Sequence, residues 1–364
     1  MRRFIEAEIR PYHGQWEEDG RLPTEVWAKA GTAGLLCCDA PAAFGGHGLD
    51  FLYNVVVVEE IARAGTTGAS GFSVQSDMFA PYLWQNGTDA QKRKWLPALT
   101  AGTLIGAIAM TEPSAGSDLK GIRTTAIREG GEYVINGQKL YISNGQLAGL
   151  VLVACKTKPD AGADGISLIY VEADRRGFER GRNLRKVGLK AQDTSELFFN
   201  DVRVPAENLL GAENRGFSLL MEKLARERLV QALRSATVCE TAIEQTVDYT
   251  KQRRAFGQSI ADFQNTRFVL ADLCARTLAG RALVDRCLQE FLEDRLDSTL
   301  AAAAKMHLTE LHCEVVDKCV QFFGGYGYML EFPIARAFVD ARVTRITGGS
   351  TEIMKGIIAR EMFK

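Results

Sequence analysis

The sequence lacks the excess of charge and the long apolar runs that are typical of nucleic-acid-binding and membrane proteins. It has 44 lysine and arginine residues against 45 aspartate and glutamate residues, so its formal net charge is −1 at pH 7. A near-neutral chain is not drawn electrostatically to nucleic acid or to anionic lipid. No run approaches the roughly 20 consecutive apolar residues that cross a bilayer. The composition favours a globular protein with a small-molecule partner, without nucleic acid or integral membrane association.

Histidine is scarce and cysteine is scattered, so neither residue type predicts a metal or redox centre. The chain has 4 histidines, and its 8 cysteines show no metal-ligand or redox spacing. We predict no metal site, and we interpret His307 and His312 as packing or surface residues of a helical segment. Cys37 and Cys38 are expected to be reduced thiols in the core. Residues 1–6 reach acidic side chains at once, without the apolar core of a signal peptide, which predicts a cytoplasmic protein.

The spacing of apolar residues changes twice along the chain. Up to about residue 105, apolar residues recur at helical intervals, as in Phe51, Val55 and Val58. Short β-prone runs follow, and the helical period returns after Gly211. We therefore predict an α+β fold that is mainly α. It comprises an N-terminal helical domain (1–105), a middle antiparallel β domain (106–210) and a C-terminal four-helix bundle (211–364).

Two glycine-containing segments bear on the topology. Asn136 and Gly137 lie between β-prone runs within residues 133–142, and this pair predicts a hairpin turn. Gly324 and Gly325 open a Gly-Gly-Tyr-Gly motif that follows a helical segment instead of a strand. This motif is therefore not interpreted as the phosphate-binding turn of a dinucleotide-binding βαβ unit.

A polar loop after an apolar run is the first place where a ligand could bind. Residues 109–118 read Ala-Met-Thr-Glu-Pro-Ser-Ala-Gly-Ser-Asp, and such a loop can offer amides and hydroxyls to an anion or a polar heterocycle. On local physics alone, an ordinary loop is the simpler interpretation. The segment nevertheless resembles the signature of the acyl-CoA dehydrogenase family. Three later segments resemble the family in the same order: 252–257 with Gln264, 321–328, and 336–353.

This resemblance covers essentially the whole chain and implies the acyl-CoA dehydrogenase fold, an FAD cofactor and a homotetramer. Family members commonly have tryptophan where Tyr141 stands, so ring packing is kept and the indole donor is lost. A neighbouring subunit would hold the ADP half of FAD, for which glycine amides and the Arg253 guanidinium are suited. A solvated helix charge is the simpler interpretation of Arg253. The implied FAD-binding residues are Ile108, Met110, Thr111, Gly116, Ser117, Tyr141, Ile142, Ser143, Arg253, Phe256, Gln264, Gln321, Gly324, Gly325, Ser350 and Glu352.

The catalytic base is where the sequence departs most from the family pattern. Many relatives have the catalytic glutamate at the position of Gly348, so that carboxylate is absent here. At helical spacing, Arg228 falls within the apolar stripe of residues 217–224, and Glu227 lies on its flank. Buried charges need partners or a cavity that uses them, so a structural ion pair and a catalytic role both explain these residues. Glu227 with Gly348 resembles the long-chain and isovaleryl-CoA dehydrogenases, in which this helix supplies the base.

The resemblance implies α,β-dehydrogenation of an acyl-CoA thioester to a trans-2-enoyl-CoA. Glu227 would remove the α-proton, the Gly348 amide would donate to the thioester oxygen, and a hydride would pass to flavin N5. Glu352 is the second candidate for the base. Residues 190–194 and 340–343 resemble the long-chain branch, and an electron-transferring flavoprotein is the expected acceptor. The implied substrate-binding residues are Ser117, Ser218, Ala225, Arg226, Arg228 and Gly349.

Two alternatives share the same cofactor motifs. An oxygen-using, acyl-CoA oxidase-like flavoenzyme would have the same base and flavin site, and oxygen uptake separates it from a dehydrogenase. A non-catalytic FAD-binding scaffold is suggested by Gly348, and bleaching of the flavin by substrate would exclude it. Relatives of this fold that bind nucleic acid would need a basic patch, which the near-neutral charge argues against.

Overall fold

The computed structural model describes residues 1–364, which form two compact units. The predicted order of helices, strands and helices is confirmed. The three-domain division at residues 105 and 210 stays a prediction. None of the helices combines the length and the apolarity that are needed to cross a lipid bilayer. The first unit comprises Met1–Val57, Thr66–Lys186 and Lys190–Lys223, and the second comprises Val58–Gly65, Val187–Leu189 and Leu224–Lys364.

The helices of residues 1–105 are α1 (Arg2–Phe4), α2 (His13–Asp19), α3 (Thr24–Thr32), α4 (Phe51–Ala64), α5 (Ser70–Ser73), α6 (Ala80–Asn86) and α7 (Asp89–Thr100), with π-helical turns at Ile5–Ile9 and Val74–Phe79. A capping box starts α7, because Thr88 Oγ1 accepts from the Gln91 amide (3.2 Å) and Gln91 Oε1 accepts from the Thr88 amide (3.0 Å). Gln91 Nε2 also donates to the carbonyls of Glu207 (2.7 Å) and Leu209 (2.9 Å). These bonds fix α7 to the chain that follows the sheet.

The sheet of the first unit contains β1 (Gly106–Ala109), β2 (Thr125–Glu129), β3 (Glu132–Ser143), β4 (Leu150–Lys156), β5 (Ile166–Glu172), β6 (Phe178–Asn183) and β7 (Thr194–Pro205). Antiparallel pairs join β2 to β3, β3 to β7, β6 to β7, and β4 to β5. β4 pairs in parallel with β1 and, through one residue pair, with β2. The predicted β domain is thus largely antiparallel, with parallel pairings on β4 that the sequence pattern did not indicate.

The predicted hairpin turn at Asn136 and Gly137 is wrong. β3 runs through both residues, and the turn from β2 to β3 lies at Gly130 and Gly131. The register against β7 shifts here, because Ile135 pairs with Val202 and Gly137 pairs with Phe199, so the extra residue of a β-bulge lies on β7 opposite this pair. Gly137 has φ 151°, and a β-carbon there would lie 2.4 Å from Thr124 Oγ1. Glycine is required because Thr124, just before β2, approaches closely, and no chain reversal is involved.

The two faces of β4 and β5 are both buried. On one face Leu152 and Tyr170 join the core formed with the helices, where the Tyr170 and Trp95 ring centroids are 4.8 Å apart. On the other face Val153 and Ile169 pack with β3 and β7 residues. Because successive residues of a strand point to opposite faces, both strands read as continuous apolar runs.

The helices after the sheet are α8 (Gly216–Gln252), α9 (Gln264–Leu292), α10 (Ser298–Phe323), α11 (Pro333–Ala341) and α12 (Thr351–Met362), and a two-residue hairpin pairs β8 (Arg254–Ala255) with β9 (Gln258–Ser259). Asp297 Oδ1 accepts from the amides of Thr299 (2.7 Å) and Leu300 (2.9 Å), which caps α10. Gly324 follows α10 directly, as expected, with no strand before it.

Two cysteines and two histidines behave as packing or surface residues. Cys37 and Cys38 are free thiols and buried, as predicted, and burial raises the pKa of the Cys38 thiol to about 12. His312 is buried in α10, where burial lowers its pKa to about 4, and His307 is exposed. Both histidines therefore agree with the packing or surface interpretation.

A shared arginine joins three helices of the second unit. Arg281 on α9 donates to Glu240 Oε1 (2.7 Å) and to Thr237 Oγ1 (3.0 Å) on α8, and to Glu59 Oε1 (2.6 Å) on α4. The two carboxylates raise the pKa of Arg281 against the effect of burial. Arg281 thus joins two carboxylates that would otherwise repel each other, and Glu240 also pairs with Arg63 at 3.6 Å.

Replacing Arg281 by methionine is expected to lower the free energy of unfolding by about 2 kcal/mol, because Glu59 loses its pair with Arg281 and Glu240 keeps the longer pair with Arg63 (3.6 Å). The loss is smaller than for a fully buried pair, since 19–27% of each side chain is exposed. Urea unfolding followed by circular dichroism measures it. Arg267→Met is the matched control on α9, because its pair with Asp262 is 65% and 50% exposed. Equal losses in both variants would contradict the prediction.

Candidate functional site

A buried ion pair fixes the loop that follows β1. Lys139 Nζ donates to Glu112 Oε1 (2.8 Å) and to the Met110 carbonyl (3.0 Å). Glu112 also accepts from the amides of Arg123 (2.6 Å) and Thr124 (3.0 Å). The side chains of Lys139 and Glu112 are 0% and 4% exposed. The loop is therefore held at Met110 and Glu112 by a charge pair that water does not reach.

The environment of this pair favours the ionised carboxylate. Burial raises the pKa of the Glu112 carboxyl group, but the Lys139 ammonium and the neighbouring hydrogen bonds outweigh burial, and the net pKa is lowered. Burial lowers the pKa of Lys139, against the attraction of Glu112. The attraction between Lys139 and Glu112 thus offsets part of the cost of burying each charge. Removal of either residue leaves an uncompensated charge in the interior.

The structure brings two predicted flavin-binding segments together. The Leu140 amide donates to the Thr111 carbonyl (2.9 Å), which places the loop beside the end of β3. Between Lys139 and Ile142 the register of β3 against β7 shifts. Tyr141 lies in this shifted stretch with φ 61° and is 64% exposed, whereas Ile142 is buried. The aromatic ring of Tyr141 is therefore exposed to solvent, and its contact with a flavin stays a prediction.

The loop also leaves room for a ligand. Gly116 and Ser117 are exposed, and a β-carbon at Gly116 would meet no atom within 4 Å. The donors and rings on this surface are those that a flat heterocycle with a polar edge needs. The residues therefore fit a flavin. The half-buried members of the surface are Ile108, Met110, Thr111 and Ser143.

One turn of α8 buries three charged side chains. Arg226, Glu227 and Arg228 are 6%, 6% and 4% exposed, which confirms the predicted burial of Arg228 beside Glu227. Arg228 Nη1 donates to Ser298 Oγ at the start of α10 (2.9 Å). Burial lowers the pKa of Arg228 against the attraction of the Glu227 carboxylate. The other predicted substrate residues of α8, Ala225 and Ser218, are half-buried.

Gly348 and Gly349 form a turn before α12. Their φ angles are 67° and 97°, a region that glycine adopts without strain. Gln231 Cγ lies 3.9 Å from the point that a β-carbon of residue 348 would occupy. Gln231 is about one helical turn beyond Glu227 on α8, so it shares a face with Glu227. The position that lacks a carboxylate and the buried carboxylate of α8 therefore lie on facing elements.

The second candidate for the base lies in a different environment. Ser350 caps α12 by accepting from the Ile353 amide (3.4 Å), and Glu352 in the first turn is exposed. Hydrogen bonds from its own backbone amide and from Ser350 lower the pKa of Glu352. Glu352 is thus exposed and hydrogen-bonded within its own helix, whereas Glu227 is buried on α8.

The residues expected to hold the ADP half of the cofactor lie on an exposed surface of the second unit. The Arg253 guanidinium is 6.0 Å from the centroid of the Tyr326 ring. Phe256, in the turn between β8 and β9, is 94% exposed with φ 53°. β-Carbons at Gly324 and Gly325 would meet no atom within 4 Å, so a phosphate could approach their amides. The exposed members are Arg253, Phe256, Gln264, Gln321, Gly324 and Gly325.

Three charged residues that the motifs did not indicate contact predicted site segments: Lys139 bonds to the Met110 carbonyl in the first unit, and Lys305 and Glu310 bond to the segment around Gly348 in the second. Strand alternation from Tyr133 and Ile135 places Lys139 on the buried face, but the mistaken hairpin turn removed that signal. Lys305 is spaced at helical intervals from buried Ala301 and Leu308, so the apolar stripe of α10 contains a charge. The same reasoning that singled out Arg228 would have found Lys305.

Comparisons with known proteins agree with this geometry. Profiles of the acyl-CoA dehydrogenase N-terminal, middle and C-terminal domains match residues 1–103, 107–202 and 214–363. The mitochondrial long-chain specific acyl-CoA dehydrogenase of Mus musculus is 49% identical over 364 residues, which are 100% of this chain and 84% of the mouse protein. The crystal structure of acyl-CoA dehydrogenase from Geobacillus kaustophilus is 47% identical with a TM-score of 0.97, over 99% of this chain and 95% of that chain. A solved structure described as electron transferring flavoprotein of Acidaminococcus fermentans is 34% identical with a TM-score of 0.95, over 100% and 96% of the two chains.

The order of helices, β-sheet and helices, with a loop after β1 whose residues fit a flavin, agrees with an oxidoreductase of the flavin-dependent class. The chain belongs to the acyl-CoA dehydrogenase family. It is an oxidoreductase of that family, and its cofactor is FAD.

Replacing Lys139 by methionine is expected to lower the free energy of unfolding by about 4 kcal/mol at neutral pH, because Glu112 keeps a buried charge without its cation. The lowered pKa of Glu112 stabilises the fold above its unfolded-state pKa, and this contribution is lost as the pH falls through the lowered pKa. The difference between wild type and variant should therefore shrink in acid. Urea unfolding from neutral to acid pH measures it.

Lys29→Met is the matched control, because Lys29 pairs with Glu8 (2.6 Å) but is 57% exposed. This variant should change stability little and without the same dependence on pH. A second check is the double variant Lys139→Met with Glu112→Gln, which should recover much of the loss by removing both charges. A double variant as unstable as Lys139→Met would argue against the buried pair as the cause.

Proposed function

We propose that the chain oxidises a long-chain acyl-CoA thioester to the trans-2-enoyl-CoA, with Glu227 as the base. The observation that carries the proposal is the placement of buried Glu227 on a helix that faces Gly348. The Glu227 carboxylate on α8 would then serve as the base in place of the glutamate that many relatives have at position 348. The 49% identity to a long-chain specific enzyme supports the chain-length preference.

The α-proton would pass to the Glu227 carboxylate. The positive charge of Arg228 attracts that carboxylate, which favours the ionised form that accepts a proton. Glu227 lies inside the long helix α8, so its backbone is held by helical hydrogen bonds and its carboxylate moves only through side-chain rotations. A base with few accessible positions loses little entropy when the substrate binds.

The thioester oxygen would accept a hydrogen bond from the Gly348 amide. Negative charge grows on this oxygen as the proton leaves, and a fixed donor stabilises that charge more than it stabilises the uncharged substrate. FAD, when bound, supplies the acceptor for the hydride that leaves the β-carbon. The proposed substrate contacts are Ser117, Ser218, Ala225, Arg226, Arg228 and Gly349, of which the two arginines are buried.

The cofactor contacts and the oligomeric state are part of the same proposal. The loop and strand residues from Ile108 to Ser117 and from Tyr141 to Ser143 would bind the flavin ring, together with Ser350 and Glu352. The exposed set around Arg253 would bind the ADP half of FAD on a neighbouring subunit of a homotetramer. Large exposed aromatic residues on that surface, such as Phe256 (94%) and Tyr328 (84%), support its burial by another molecule. Cytoplasmic location stays a prediction.

We propose an electron-transferring flavoprotein as the electron acceptor. The similarity to the solved structure described as electron transferring flavoprotein of Acidaminococcus fermentans supports this assignment. An oxidase would transfer the same electrons to oxygen. Hydrogen peroxide formation during turnover with acyl-CoA in air would therefore identify the oxidase, and its absence with rapid reduction of an electron-transferring flavoprotein would identify the dehydrogenase.

Replacing Glu227 by glutamine is expected to slow flavin bleaching by acyl-CoA about 10³-fold, because the amide cannot accept the α-proton. The measurement is anaerobic stopped-flow absorbance of the FAD-loaded protein, mixed with straight-chain acyl-CoAs of graded length. Wild type should bleach fastest with long chains.

Glu222→Gln is the matched control, since Glu222 is exposed on the same helix and should leave the bleaching rate unchanged. Glu352→Gln should retain the chemistry. If Glu227→Gln bleached as fast as wild type while Glu352→Gln did not, the base would be Glu352. If wild type failed to bleach with every acyl-CoA, the chain would be an FAD-binding scaffold or an enzyme for another acyl group.

A further inference from the structure

The turn that contains Gly348 is attached to α10 at three points. Glu310 Oε1 accepts from Arg345 Nε (2.8 Å) before the turn and from Thr351 Oγ1 (2.7 Å) after it. Between these points, Lys305 Nζ donates to the Gly349 carbonyl (2.7 Å). One helix thus holds both ends and the middle of the segment 345–351.

This segment needs such attachment because of its composition. Gly348 and Gly349 are adjacent, and glycine has the largest backbone freedom of any residue. Neither residue has a side chain that could anchor the turn. Both are only half-buried, so packing alone restrains them weakly. An amide in such a turn would sample many directions unless its neighbours were fixed.

Lys305 is buried completely, which is unusual for a lysine. Methionine has a similar length and would fill the same space in the apolar stripe without the cost of removing an ammonium group from water. The ammonium group therefore needs a role that an apolar side chain cannot fill. Its hydrogen bond to the Gly349 carbonyl supplies that role.

We propose that Lys305 and Glu310 are positioning residues that orient the Gly348 amide towards the substrate oxygen. The inference rests on the proposed function, because the importance of the Gly348 amide comes from there. Lys305 fixes the peptide that follows Gly349, and Glu310 fixes the two flanks. With three attachments, the turn keeps its left-handed backbone before the substrate arrives, and no binding energy is spent on ordering it.

Moving the base from a turn to a helix changes what the turn must do. With glycine at position 348, the turn contributes only its main chain, and it gains the flexibility of two adjacent glycines. A carboxylate on α8 starts instead from a backbone that is fixed by helical hydrogen bonds. A base on α8 instead of at position 348 is therefore more rigid, whereas the Gly348 amide that donates to the thioester oxygen is less rigid. Attachment of the turn to α10 compensates for the second effect.

The charges around Lys305 add a dependence on pH. Burial lowers the pKa of Lys305 to about 8, and Arg228 on α8 lowers it as well. Glu310 and Cys313 on α10, and Glu352 on α12, act in the opposite direction. The ammonium group therefore loses its proton in mildly alkaline solution, and the bond to the Gly349 carbonyl is then no longer assisted by charge. Turnover should fall with that titration.

The test compares Lys305→Met and Lys305→Arg with wild type, all as FAD-loaded protein. Lys305→Met should lower kcat and kcat/KM together by about 10²-fold, because the amide is misplaced in the transition state. It should also speed hydrogen exchange in the peptide that covers residues 347–354, measured by mass spectrometry without substrate. Lys305→Arg keeps a permanent cation, so it should recover most of the rate and lack the alkaline decline near pH 8 that wild type shows.

Lys318→Met is the matched control on α10, because Lys318 is exposed and should change neither rate nor exchange. Glu310→Gln is a milder second variant, in case Lys305→Met folds poorly. It should speed exchange in the same peptide and lower kcat about 10-fold.

Unchanged hydrogen exchange in Lys305→Met and Glu310→Gln would overturn the inference, and so would an alkaline decline that persists in Lys305→Arg. The exchange measurement needs no substrate. A wild-type protein that no acyl-CoA bleaches would therefore refute the proposed function, while the exchange result would still decide whether Lys305 and Glu310 hold the turn.

Discussion

A lysine ammonium group that is sealed from water must find its hydrogen-bond acceptors inside the protein, and this requirement shapes both loops of the proposed site. Lys139 reaches the Met110 carbonyl and Lys305 reaches the Gly349 carbonyl. If either carbonyl turned away, a buried ammonium group would lose a hydrogen-bond acceptor, although Lys139 would keep its bond to Glu112. The backbone at each loop is therefore held by a charge that itself takes no part in the chemistry.

The two lysines differ in how the charge is balanced. Lys139 has a carboxylate partner in Glu112, which opposes the effect of burial on the Lys139 pKa and lowers the pKa of Glu112. Lys305 has a carbonyl as its hydrogen-bond partner and another cation, Arg228, in its surroundings, and its pKa is lowered to about 8. The pKa of Lys305 therefore couples the turn at Gly348 to mildly alkaline solution, through a charge that has no hydrogen-bonded carboxylate partner.

Sequence reasoning predicted the elements that depend on periodicity and missed those that depend on contacts between distant segments. The order of helices and strands, and the burial of Arg228 beside Glu227, follow from spacing alone. The Asn136 and Gly137 pair was misread because its local signal is that of a turn, whereas Gly137 is required by the approach of Thr124. That error also concealed Lys139, which strand alternation would otherwise have placed inside. The hydrogen-bond acceptors of Lys139 and Lys305 lie 29 and 44 residues away, and no local pattern encodes them.

Two aromatic residues of the proposed cofactor site have strained, left-handed backbone conformations. Tyr141 (φ 61°) lies in a register shift of β3, and Phe256 (φ 53°) lies in the two-residue turn between β8 and β9. Such angles cost an aromatic residue of order 1–3 kcal/mol and persist only where the surroundings enforce them. Both rings are exposed, at 64% and 94%, so their own packing does not offset that cost. A ring held outward at such a cost fits a ligand or a second subunit that covers it, which is the role that the resemblance to the family implies for both residues.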